Sequence, residues 1–118
     1  MNINSINNQN FGMAVFIPKR VRKTLYENSR NENLGIESYE RFQDAILANQ
    51  HLKIFDVYCT ENNIVEIEKK EPFRKKIKIY ENVKTIDDLS KILEDNVQRE
   101  NNYNLNQILS KLSGTRNY

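Results

Sequence analysis

Three short β-forming segments follow one another in residues 52–80 and constrain the fold more than any other part of the chain. The segments are LKIFDVYCT, NIVEIEKK and PFRKKIKIY, each rich in Ile, Val, Phe or Tyr. Turn-forming residues separate them, Glu61-Asn62-Asn63 and then Lys70-Glu71-Pro72. The pattern predicts an antiparallel meander, one face of which the rest of the chain must cover.

The two turns also predict a register for the meander. A tight second turn places Glu68 opposite Arg74, Glu66 opposite Lys76 and Ile64 opposite Lys78. The expected apolar face then holds Phe55, Val57, Cys59, Val65, Ile67 and Ile77, with Lys75 as an exception at the end of the sheet. The expected charged face holds Asp56, Tyr58, Glu66, Glu68, Arg74, Lys76, Lys78 and Tyr80.

The flanking segments predict one further strand and several helices. The apolar run at residues 11–17 predicts a strand that Pro18 ends. Apolar residues at three- and four-residue spacing predict helices over residues 19–30 and 36–49. A helix capped by Thr85 is expected to break at residues 100–103. A last short helix then presents Leu105, Ile108, Leu109 and Leu112 on one side.

These elements predict an α+β fold in one domain, as suits a chain of 118 residues. We expect an antiparallel sheet of three or four strands in the order β-α-α-β-β-β-α-α, with the helices packed on one face. The domain is expected to span residues 11–113. Residues 1–10 are expected to form a disordered tail, and residues 114–118 a frayed end.

Charge gives two candidate sites for an anionic partner. The net charge of +2, from 18 basic and 16 acidic residues, is too small to indicate such a partner by itself. The candidates are a cluster at the start of the first helix, Lys19, Arg20, Arg22 and Lys23, and a basic strand, Arg74, Lys76, Lys78 and Tyr80. Both clusters are equally consistent with solvent-exposed surfaces whose basic side chains pair with neighbouring acidic residues. Because Glu66 and Glu68 face the basic strand, nucleic-acid binding is not favoured.

No set of residues suggests catalysis, a metal or a cofactor. The single histidine, His51, and the single cysteine, Cys59, lie about eight residues apart along a strand, too far to act together. Gly12, Gly35 and Gly114 are scattered and form no phosphate-binding loop. Enzymatic activity stays open, but a non-enzymatic protein without cofactor or metal is favoured.

Two features bear on location. One cysteine cannot form an intramolecular disulfide, which favours a reducing compartment. No apolar run is long enough to span a membrane, and the amino terminus does not resemble a signal peptide. We therefore expect a cytoplasmic protein without a membrane partner.

Two resemblances add expectations about origin and activity. The predicted order of elements over residues 13–97 resembles that of the RelE family of ribosome-dependent ribonuclease toxins, although no sequence motif of that family is matched. The resemblance implies that basic side chains and a tyrosine on the sheet act on messenger RNA, for which Arg74, Lys76, Lys78 and Tyr80 are the candidates. The Asn-rich start ending in Asn10-Phe11-Gly12-Met13 resembles small uncharacterised bacterial proteins.

We therefore expect a small bacterial or phage protein that binds another protein or a second copy of itself. The contact surface would be a free sheet edge or the leucine-rich last helix. The alternative is a nucleic-acid-binding protein or a RelE-like ribonuclease toxin.

Overall fold

The chain folds into a four-stranded sheet and three helices, as an α+β protein. A computed structural model describes residues 14–114, with side chains placed for residues 14–112. The elements are β1 (Val15–Phe16), α1 (Lys19–Asn31), α2 (Ile36–Asn49), β2 (Phe55–Cys59), β3 (Val65–Lys69), β4 (Lys75–Tyr80) and α3 (Ile86–Gly114). The predicted tail over residues 1–10, the start of the first predicted strand and residues 115–118 lie outside the described part.

The sheet has the order β1-β2-β3-β4 and is mixed. The predicted meander is confirmed, since β2, β3 and β4 pair antiparallel. The predicted antiparallel sheet is therefore confirmed only in part, because β1 pairs with β2 in parallel. A parallel neighbour needs a long crossover connection, and α1 and α2 provide it.

The predicted helix break at residues 100–103 is also wrong, because α3 runs unbroken through that segment. Tertiary contacts hold the helix there. The carboxylate of Glu100 accepts hydrogen bonds from the backbone N–H groups of Lys53, Ile54 and Phe55. The ring of Tyr103 packs edge-on against Phe55, with ring centroids 5.8 Å apart. These contacts anchor the polar segment to the start of β2. The two helices predicted at the end of the chain are therefore one continuous helix.

The helices cover one face of β1, β2 and β3, where the core lies. Both helices predicted before the meander are confirmed, although Ile36 and Leu47 of α2 face solvent instead of the core. The predicted cap of α3 forms between Thr85 and Asp88, each accepting a backbone N–H bond from the other. The side chains of β4, at the edge of the sheet, are exposed except that of Tyr80, which is half-buried.

Asparagines form the tight turns between these elements. Asn33 follows α1, Asn63 lies between β2 and β3, and Asn82 follows β4, and their φ angles are 59°, 61° and 60°. This left-handed conformation is costly for most side chains but accessible to asparagine. Part of the high asparagine content therefore has a backbone role.

Candidate functional site

The amino-terminal basic cluster lies on the first turns of α1. Arg20 reaches Glu61 of the β2–β3 turn, with 3.4 Å between Nη1 and Oε1, and both side chains are well exposed. Lys19 and Lys23 are exposed as well. The exposed ion pair of Arg20 contributes little to stability. An anionic partner for this cluster stays a prediction.

The outer face of the meander carries a set of ion pairs that we call the outer ladder. Arg74 Nη1 lies 3.0 Å from Asp56 Oδ2 and 3.1 Å from Glu68 Oε1. The two other pairs are Lys76 with Glu66 at 3.2 Å and Lys70 with Asp56 at 3.4 Å. The predicted side-chain pairs Glu68–Arg74 and Glu66–Lys76 are therefore confirmed. The outer ladder has equal numbers of each charge: Asp56, Glu66, Glu68, Lys70, Arg74 and Lys76.

The groups at the centre of the outer ladder bind one another, although within residues 14–112 Asp56 Oδ1 accepts no hydrogen bond and has only its 3.4 Å ion pair with Lys70. Asp56 is only 1% exposed, and Tyr58 donates a hydrogen bond to it while accepting one of 2.9 Å from Arg74. Desolvation, followed by the nearby charge of Asp56, raises the pKa of Tyr58. Hydrogen bonds to Asp56 and Glu68 raise the pKa of Arg74. A tyrosine that ionises less readily is a poor general base, and an arginine engaged by two carboxylates is a poor phosphate ligand.

The predicted register of β4 is wrong, because a bulge interrupts its pairing with β3. Lys76 lies opposite Glu68 and Lys78 lies opposite Ile67, so Ile77 is an extra residue between them. An extra residue in one strand reverses the faces of all residues beyond it. Lys78 and Tyr80 therefore lie on the helix-facing side, and Ile79 takes the outer side that had been predicted for them. The bulge thus divides the basic strand between the two faces of the sheet.

On the helix-facing side, β4 and the middle of α3 form an open groove. The groove is wide and open to solvent, with a volume of about 560 Å³. Tyr80 and Arg99 join its two walls, since Arg99 Nη2 donates a 3.1 Å hydrogen bond to the Tyr80 hydroxyl. We call this the β4–α3 groove; it is lined by Phe55, Ile77, Lys78, Tyr80, Asp95, Gln98, Arg99, Asn102, Tyr103 and Asn106.

The cations around this groove differ from those of the outer ladder. Lys69, Lys75, Lys78 and Arg99 form no ion pair with any carboxylate of the described chain, although Asp95 also lines the groove. Instead, two ammonium groups lie over aromatic rings. Lys78 Nζ is 4.9 Å from the ring centroid of Tyr80, and Lys69 Nζ is 4.9 Å from that of Tyr103. This side of the sheet edge therefore has an excess of positive charge.

Cys59 and His51, the two residues considered for catalysis, lie in different environments. Cys59 is buried on the helix-facing side, and burial raises the pKa of its thiol to about 12. His51 is exposed in the turn between α2 and β2. Within residues 14–112, no group of three or more His, Cys, Asp or Glu side chains is arranged to hold a metal ion.

The carboxyl-terminal half of α3 carries an exposed apolar surface. Leu105 is 52% exposed, Ile108 56%, Leu109 49% and Leu112 59%. These residues occupy positions i, i+3, i+4 and i+7, as the sequence predicted. At about 100° per residue, the centre of this stripe lies roughly 140° around the helix from the direction of Leu93, Asn96 and Glu100, which contact the body. The stripe therefore does not continue the core, and we call it the apolar end of α3.

Sequence reasoning missed the residues of α3 that shape the groove and anchor the helix. Arg99, Glu100 and Tyr103 lie in or beside the segment predicted as a break, so no helical face was assigned to them. A signal was present, because Asn96, Arg99 and Tyr103 recur at the spacing of one helical face. The polar character of the segment hid that spacing.

Comparisons with known proteins give no further guide. No family matches the chain, and neither curated proteins nor solved structures give a significant match. The resemblances drawn from the sequence therefore remain predictions. Within the described chain, no helix has both the length and the apolar character needed to cross a membrane.

Proposed function

We propose that this chain is a non-enzymatic protein-interaction module and that the apolar end of α3 is its main contact surface. The carrying observation is the placement of four half-exposed Leu and Ile side chains on the side of α3 that faces away from the body. Contiguous exposed apolar surface is typical of interaction sites in soluble proteins. The spacing of these side chains is that of a helix that binds in an apolar groove of a partner.

The size of the surface indicates what kind of partner is needed. Full burial of a Leu or Ile contributes about 1.5–3 kcal/mol, so covering four half-exposed side chains contributes about 4 kcal/mol. Pairing two copies doubles this to about 8 kcal/mol, of which association costs at least about 4 kcal/mol. The remainder, at most about 4 kcal/mol, corresponds to a dissociation constant of about 1 mM or weaker. We therefore propose that the physiological partner is a different protein whose groove encloses the helix, and that weak self-association reports the same surface.

Self-association of purified protein tests this proposal. We expect sedimentation velocity to detect reversible dimers as the concentration approaches about 1 mM. Leu109→Glu should abolish them, because dimerisation would then bury a carboxylate without a partner. Gln107→Glu is the matched control: it adds the same charge to an exposed position on the opposite side of the helix, and its dimers should persist. A strict monomer at every concentration, or equal effects of the two variants, would contradict the proposal.

The alternative function, nucleic-acid binding or RelE-like RNA cleavage by Arg74, Lys76, Lys78 and Tyr80, has no observation in its favour at that site. The outer ladder neutralises Arg74 and Lys76, and the bulge carries Lys78 and Tyr80 to the other face. Salt-sensitive binding of single-stranded RNA would bring this alternative back.

A further inference from the structure

The free edge of β4 lies beside the β4–α3 groove, and together they have the features of a strand-binding site. Within the described chain, β4 pairs only with β3, so its other edge presents backbone N–H and C=O groups to solvent. An added strand would lie about 4.8 Å from β4, with alternate side chains directed toward the groove. Backbone pairing gives such sites affinity, and the pockets beside them give selectivity.

Charge indicates which strand would fit. The helix-facing side of this edge presents Lys75, Lys78 and Arg99 without carboxylate partners in the described chain. On the other side of the sheet, Lys76 is held by Glu66. On its groove-facing side an incoming strand therefore meets one carboxylate, that of Asp95, and three cations without a carboxylate partner in the described chain. On its other side it meets the apolar side chain of Ile79.

The same lysines restrict pairing with a second copy. If two β4 edges paired, the lysines of one edge would lie against those of the other, and like charges across strands are destabilising. Lysines on an edge strand are a common protection against self-pairing. These lysines do not repel an acidic strand. The edge of β4 therefore favours an acidic strand over a second copy of itself.

The aromatic residues of the groove favour a peptide over RNA. Bases bind single-strand sites by stacking on exposed ring faces. Here Lys78 covers a face of Tyr80, and Lys69 covers a face of Tyr103. An extended peptide needs no ring face, and it uses the strand edge that RNA would leave unpaired.

The geometry points to a second binding site of this protein, in which an extended acidic peptide adds to the free edge of β4 as a fifth strand and places carboxylates against Lys75, Lys78 and Arg99. The site is distinct from the apolar end of α3, so either proposal can fail without the other.

Fluorescence anisotropy with a labelled peptide of alternating Glu and Val, as long as β4, tests the inference. We expect this peptide to bind and its Lys-Val counterpart not to bind. Lys78→Glu should weaken binding at least about fivefold, since it replaces an attraction with a repulsion. Arg30→Glu changes the net charge equally at an exposed position in the last turn of α1, outside both basic clusters, and it should leave binding unchanged.

Two N-methylated probes separate strand addition from simple charge attraction. Methylation at every Val or at every Glu removes the N–H groups on one edge of the peptide only. Strand addition predicts that one of these probes binds and the other does not. Charge attraction alone predicts that both probes bind equally. The inference is overturned if the unmethylated peptide does not bind, if both methylated probes bind equally, or if Arg30→Glu weakens binding as much as Lys78→Glu does. Binding of labelled oligouridine without binding of the peptide would assign the groove to RNA instead.

Discussion

Replacing Glu100 should destabilise the fold, because this buried carboxylate accepts three backbone hydrogen bonds. It is 4% exposed, and its carboxylate accepts backbone N–H bonds from Lys53 at 2.7 Å, Ile54 at 2.8 Å and Phe55 at 3.2 Å. These three bonds join the middle of α3 to the chain that enters β2. Glu100→Ala would remove the acceptors and leave the three donors in place.

The expected loss of stability follows from the burial of the three donors. Leaving a buried donor unsatisfied costs about 1–3 kcal/mol. Phe55 is buried, whereas Lys53 is exposed and Ile54 half-buried, so water can replace part of the loss at those two. We assign about 2 kcal/mol to Phe55 and about 1 kcal/mol to each of the others, or about 4 kcal/mol in all. That is a large share of the roughly 5–15 kcal/mol that stabilises a typical domain.

Urea unfolding followed by circular dichroism measures this loss. Glu100→Gln retains one acceptor oxygen and the side-chain shape, so it should lose about half as much as Glu100→Ala. Glu94→Ala is the control, because its pair with Arg41 is about half exposed and should contribute less than about 1 kcal/mol. A Glu100→Ala protein as stable as the control would refute the reasoning and would show that the β2 entry is held by other contacts.

Two further predictions concern titratable groups. Because burial raises the pKa of Cys59 to about 12, the thiol should resist iodoacetamide at pH 8 in the folded protein and react once urea unfolds it; rapid labelling of the native protein would contradict this. The hydrogen bond from Arg41 lowers the pKa of Glu94 in the folded state, so the stability it contributes is present above the ordinary value of 4.5 and is lost as the pH falls through the lower folded value. Stability curves measured against pH should therefore show slightly less acid sensitivity for Glu94→Gln than for the natural sequence, and by less than about 1 kcal/mol because the pair is exposed.

The features predicted correctly are those encoded over short distances. Apolar spacing identified α1 and α2, and Thr85 as a cap identified the start of α3. The turn at Glu61-Asn62-Asn63 correctly predicted the antiparallel pairing of β2 with β3. Each of these features depends on residues that are close in sequence, where the pattern of residue types is most informative.

The features predicted wrongly depend on contacts between distant parts of the chain. The polar segment at residues 100–103 stays helical because residues 53–55 bind it. The direction of β1 depends on how α1 and α2 return the chain, which the short strand itself does not encode. The local sequence preference disfavoured a helix at residues 100–103, and it gave no information about the direction of β1.

The bulge in β4 explains why the ion pairs were predicted correctly while the location of the cationic surface was not. Arg and Lys side chains are long enough to reach diagonal partners, so Lys76 meets Glu66 although its direct cross-strand neighbour is Glu68. The pairs therefore tolerate a change of register. The face on which a residue lies does not tolerate it, because one extra residue at Ile77 moves Lys78 and Tyr80 to the groove. It follows that the strand with the most basic sequence is neutral on its outer face, and that its available charge lies on the helix-facing side, where Arg99 adds to it.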